Sequence, residues 1–115
     1  MKILHHPDRA DIHLSSVLYA LSDPIRLFIL SELRQHQEKS CGDFDVPVAK
    51  STFSHHTRTL REAGVVNVRS HGTQRLVSIR TDDLEFRFPG LLTAILDAYE
   101  NSDEKQQMLQ GLQQS

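Results

Sequence analysis

The chain has 115 residues, enough for one domain and too few for a second. Hydrophobic residues make up 38% and charged residues 24%, which suits a modest folded core and excludes a disordered chain. The net charge of −2 carries no bulk basicity, and the single cysteine, Cys41, excludes an internal disulfide and a multi-thiolate zinc site.

In chain order, residues 1–10 are polar and His-rich and read as a loose arm. Ile12, Leu14, Val17, Leu18 and Leu21 then recur with helical spacing. Ser22-Asp23-Pro24 marks a second helix start, with a capping Asp and a Pro whose missing N–H costs nothing there. Ile25, Leu27, Phe28, Ile29, Leu30 and Leu33 cover most of that helix, which predicts a central, buried element. Residues 34–40 form a polar connection. Residues 41–48 contain Gly42 and Pro47 and leave room only for a short, irregular helix.

Residues 51–63 read as a helix capped by Ser51, with Phe53, Leu60 and Ala63 inward and Gly64 at its stop. Residues 65–70 and 75–80 alternate in the manner of strands around His71-Gly72-Thr73-Gln74, which predicts a β-hairpin. Thr81-Asp82-Asp83-Leu84 caps a short turn. After Pro89-Gly90, the positions Leu91, Leu92, Ile95, Leu96 and Tyr99 make an amphipathic helix, which Met108, Leu109 and Leu112 extend. The expected organisation is an arm (1–10), one domain (11–99) and a helical extension or frayed tail (100–115). No apolar run nears the roughly 20 residues of a membrane span, and residues 1–7 lack a secretory signal's apolar stretch. The chain is expected in the cytoplasm.

Charge is segregated along the chain. Residues 1–49 carry a net −2 and residues 81–115 a net −5, whereas residues 50–80 carry +5. That basic stretch holds Lys50, Arg58, Arg61, Arg69, Arg75 and Arg80 against one acid, Glu62, and includes His55, His56 and His71. A polyanion would find one attractive face on a repulsive protein.

Helix, helix, short helix, capped helix, hairpin is the order of a winged helix-turn-helix, mainly α with a β-hairpin wing and about five helices. In that motif the second helix of the pair lies in the major groove. Along it, Ser51, Thr52, His55 and His56 are candidates to face bases, and Lys50, Ser54 and Arg58 to face phosphates. The adjacent His55 and His56 diverge on a helix, so each is read as DNA-facing or packing. The hairpin carries Arg69, His71, Thr73 and Arg75 to its tip, as a basic wing would.

The residues filling this frame resemble the ArsR family of small dimeric winged-helix repressors. Ala20-Leu21-Ser22-Asp23-Pro24-Ile25-Arg26-Leu27-Phe28-Ile29-Leu30 is similar to the family's "lgdptRlrIL" segment. Lys50-Ser51-Thr52-Phe53-Ser54-His55-His56-Thr57-Arg58-Thr59-Leu60-Arg61-Glu62-Ala63-Gly64-Val65-Val66 is similar to its "qstvSrHLkvLreaGLv" recognition helix. The resemblance spans residues 11–99. Two departures stand out: Thr57 replaces the family's usual Leu, and the helix before the recognition helix is poorly marked.

The resemblance implies a double-stranded DNA operator as partner and a two-fold homodimer paired through the first and last helices. Leu14, Leu18, Leu21, Leu92, Ile95, Leu96 and Tyr99 are the candidate interface, with packing on the domain's own core as the alternative. Such a dimer presents two recognition helices roughly 34–36 Å apart.

The family's metal motifs do not carry over. Cys41 has no second thiolate, and Asp97 and Glu100 on the last helix have no His beside them. His5, His6, Asp8 and His13 are a fresh group of ligand types, although adjacent His on an arm more often stay solvated. No metal or cofactor is therefore expected. Cys41 is read as an idle or buried thiol before a sensor. No nucleophile–base pair, phosphate loop or paired carboxylate marks an enzyme. The expected function is sequence-specific transcriptional regulation, with a winged-helix interaction module that does not read DNA as the alternative.

Overall fold

Asp23 Oδ1 accepts hydrogen bonds from the backbone N–H groups of Ile25 at 2.8 Å and Arg26 at 3.1 Å. With Pro24 at the first helical position, this cap opens the helix around which the domain is built. The computed structural model describes residues 4–114, and their side chains as far as Gly111. Among them the order is α1 (Leu14–Ala20), α2 (Pro24–Arg34), β1 (Lys39–Ser40), α3 (Lys50–Glu62), β2 (Val66–His71), β3 (Gln74–Ile79), α4 (Thr81–Arg87), α5 (Leu91–Glu100) and α6 (Asp103–Gln114). Short 3-10 turns occupy Arg9–Asp11 and Cys41–Asp43. No single helix among the described residues is long and apolar enough to cross a membrane.

Helix α2 packs against α3, α5 and β3 at once. That is why Phe28, Ile29, Leu30 and Leu33 are all buried. The sheet is antiparallel with order β1-β3-β2, and Val68 pairs with Val77 across the hairpin. Val66, Val68 and Val77 point to the core while Asn67 and Arg69 face out, the period of two that the sequence shows. His71 pairs with Gln74 around Gly72 and Thr73, and Gly72 takes φ 63° at the first turn position, as a type II′ turn requires.

The end of α3 is a Schellman motif. Val65 N donates to Leu60 O at 2.9 Å and Gly64 N to Arg61 O at 3.0 Å. Gly64 sits at φ 86°, and a Cβ there would lie 2.6 Å from Ile12 Cγ1. Only glycine fits both the backbone and the contact.

Several expectations need correction. Helix α3 begins at Lys50 behind Ala49, with no side-chain cap, so Ser51 lies inside the first turn. Residues 41–48 contain one 3-10 turn and no α-helix, and Phe44 anchors the segment on Phe53 with ring centroids 5.3 Å apart. The polar connection ends in a two-residue strand, β1, that pairs with β3. Helices α5 and α6 are separate. Ser102 Oγ donates to Tyr99 O at 2.5 Å and Asn101 Nδ2 to Asp97 O at 2.9 Å, so side chains take carbonyls that a continuing helix would use.

The N-terminal segment is not loose over its described residues. Val68 N donates to His6 Nε2 at 3.1 Å, on the open edge of β2, and Arg80 Nη1 donates to Pro7 O at 2.7 Å. Arg9 also pairs with Asp83 at 2.7 Å. Residues 1–3 lie outside the described residues.

Candidate nucleic-acid interface

Helix α3 has two unlike faces. Phe53, His56, Thr57 and Leu60 are buried, whereas Lys50, Ser51, Thr52, Ser54, His55 and Arg58 are exposed on one continuous surface. Thr57, the departure from the family pattern, is buried with its hydroxyl satisfied, because Oγ1 donates to Phe53 O at 3.0 Å. A polar residue therefore occupies a core position without an orphaned group.

The two adjacent histidines separate. His55 is exposed and remains among the side chains presented outward. His56 is 8% exposed, and Arg26 Nη1 donates to its Nδ1 at 3.1 Å, with Asp23 Oδ1 at 3.9 Å. Burial holds the His56 imidazole below its ordinary pKa; Asp23 opposes this, and the Arg26 and His55 charges add to it. His56 is thus a packing residue, correcting its candidacy as a DNA contact.

The cations of the basic stretch also divide. Arg69 Nε and Nη2 each donate to the Glu38 carboxylate at 2.7 Å, which holds Arg69 beside β1 and Glu38 below the usual carboxylate range. In this chain Arg69 stays exposed but is paired with an acid 31 positions away. Arg80 is 8% exposed, bound to Asp83 and to Pro7 O. Lys50, Arg58, Arg61 and Arg75 make no ion pair among the described residues. His71 and Thr73 are exposed at the hairpin end beside Arg75.

Arg61 was not singled out from the sequence. It lies one turn beyond Arg58 on α3 and reaches the space between α3 and the hairpin, where a cleft of about 120 Å³ also takes Arg58 and Arg75. The i, i+3 spacing was the available signal. A wider groove of about 580 Å³ lies in front of the wing, with Lys50, Ser54, Thr73 and Arg75 among its walls. Cys41 borders both spaces; burial pushes its thiol pKa up while the Arg75 charge pulls it down.

The candidate pairing residues split in the same way. Leu14 and Leu18 are 46% and 45% exposed on α1. Leu92 and Ile95 are half-buried. Leu21, Leu96 and Tyr99 are at most 5% exposed within this one chain, so they belong to its own core and are corrected as interface residues. Tyr19 and Phe86 are large exposed rings that the helical spacing did not single out. Burial, aided by Glu104, Glu32 and Glu100, pushes the Tyr99 hydroxyl up to about 12.

Among the described residues, no group of three or more His, Cys, Asp or Glu side chains converges as a metal site would. His6 has both ring nitrogens engaged, Nδ1 with Leu4 O and Nε2 with the Val68 N–H. The N-terminal set of His5, His6, Asp8 and His13 is not gathered.

No family model matches the chain. It is 36% identical over 84 residues to the uncharacterized HTH-type transcriptional regulator YceK of Bacillus subtilis (strain 168), covering 70% of this chain and 84% of that one. Its fold matches the crystal structure of an ArsR family transcriptional regulator with a TM-score of 0.60 at 20% identity, over 77% of this chain and 98% of the other.

Proposed function

Because the chain belongs to the HTH-type transcriptional regulators and has the winged-helix fold of the ArsR family, we propose that it is a homodimeric repressor of a near-palindromic operator in the cytoplasm. The family is non-enzymatic, and its members bind DNA. The observation that carries this reading is the distribution of cations that make no ion pair among the described residues. Lys50, Arg58, Arg61 and Arg75 stand together on α3 and the hairpin, while acids dominate elsewhere.

In this reading Ser51, Thr52 and His55 meet base edges in the major groove. Lys50, Ser54, Arg58 and the wing residues His71, Thr73 and Arg75 hold the backbone. Exposed Leu14 and Leu18, with half-buried Leu92 and Ile95, supply the pairing surface. Repression rests on the resemblance to the ArsR-type repressors.

The test is fluorescence anisotropy on the duplex upstream of the protein's own gene, run across salt and with unrelated duplex as competitor. The expected result is tight, specific binding whose log–log salt slope is steep. Absence of binding at low salt would overturn the reading.

A further inference from the structure

Arg58, Arg61 and Arg75 reach one small cleft from two different elements. It lies between α3 and the hairpin, encloses about 120 Å³, and is completed by Ser54, Thr57 and Cys41. No carboxylate among the described residues pairs with any of these three arginines. Arg61 Nε is buried and donates to no acceptor among the described residues. Buried donors in folded proteins ordinarily have an acceptor, and a guanidinium fork matches the oxygens of a phosphate. The Thr57 hydroxyl hydrogen is already committed to Phe53 O, which leaves Ser54 as the hydroxyl donor at the wall. The cleft is ion-sized, and it opens between the helix placed for the major groove and the wing.

We propose that this cleft seats one backbone phosphate of the bound duplex, with Arg61 as its inner clamp and Arg58 and Arg75 at its mouth. The proposal rests on the DNA-binding reading above and deepens it. It assigns Arg61 a role and gives the wing a fixed point against α3. Its grip is independent of base sequence, because a phosphate is the same at every step.

Cys41, the only cysteine, borders the seat and reports on it. The experiment measures its alkylation by uncharged N-ethylmaleimide on the full chain, alone, with saturating duplex, and with inorganic phosphate replacing chloride at fixed ionic strength. Duplex is expected to slow alkylation severalfold. Arg61→Gln is expected to weaken binding of all sequences alike by about tenfold, and to reduce the salt slope by about one. Arg61→Lys should recover part of the affinity. Should Arg61→Gln fail to fold, Arg75→Gln on the exposed wing carries the same test.

Protection by inorganic phosphate, lost in Arg61→Gln, would support the seat and show that it also takes a free oxyanion. Protection by duplex alone would support it as a seat for the polymer. Tight duplex binding with Cys41 alkylating at its free rate, and a wild-type salt slope in Arg61→Gln, would overturn the seat while DNA binding stands. Absence of duplex binding at low salt would instead remove the reading beneath it.

Discussion

Arg26 on α2 donates to His56 on α3 across 3.1 Å, and the same guanidinium donates through Nε to Ala20 O at 2.7 Å. One buried side chain thereby ties the end of α1, the start of α2 and the recognition helix together. The bond requires His56 Nδ1 to be an acceptor, so the ring is neutral with its proton on Nε2. The outward face of α3 is oriented by this inward contact.

Acid should loosen that contact. With the His56 pKa lowered in the fold, the unfolded chain binds the proton more readily, so stability rises with pH through the imidazole range. The contribution is complete above the ordinary value of about 6.5, and is lost as pH falls through the depressed one. His6, also held low by burial, adds to the loss with the same sign. Urea melts between pH 7.5 and 5.5 should show stability decreasing toward acid. His56→Gln keeps an acceptor for Arg26 without a titrating ring and should flatten that profile. An unchanged profile would mean the bond does not govern it.

Gly64 should tolerate nothing larger. Gly64→Ala meets both a φ of 86° and the Ile12 side chain 2.6 Å away, and a cost of about 2–4 kcal/mol is expected. Gly111 lies on exposed α6 with nothing within 4 Å of a Cβ, so Gly111→Ala should be neutral or mildly stabilising. Thermal denaturation of the two variants checks the contrast.

Glu38 restrains the wing. Glu38→Gln releases Arg69 and removes an acid beside the interface, so DNA affinity should rise and the salt slope steepen. Arg69→Ala in the otherwise native chain should change affinity little. Arg58→Ala, by contrast, should weaken every sequence alike, and His55→Ala should alter which sequence is preferred. Anisotropy with all four variants on specific and unrelated duplexes decides the matter.

Oligomeric state should depend on the exposed leucines of α1. Leu14→Glu with Leu18→Glu should yield a folded monomer by sedimentation, because both side chains are nearly half exposed. Leu96→Glu places a charge where the native residue is 1% exposed, and should unfold the domain instead. A double variant that remains dimeric would relocate the interface.

Much of the frame was legible because it is local. The Asp23 cap, the hairpin turn at Gly72 and the α3 stop at Gly64 each depend on residues within a few positions of one another. Strand β1 was not legible. Two residues, Lys39 and Ser40, have no period to read, and only pairing with Val77 and Leu76 makes them a strand. The contacts of the N-terminal segment were not legible for the same reason: nothing in His6 and Pro7 announces the acceptors that Val68 and Arg80 find there.

The sequence alone determined the winged-helix order and the concentration of positive charge in residues 50–80. These follow from periodicity, capping and composition, which act over one or two turns. Only the tertiary structure decided which member of each chemically equal pair is free. His55 is exposed and His56 buried; Arg75 is unpaired among the described residues and Arg69 is paired with Glu38; Leu18 faces outward and Leu21 enters the core. Side-chain type sets what a residue can bind, whereas its actual partner is set by chain segments dozens of positions away that only folding brings into contact.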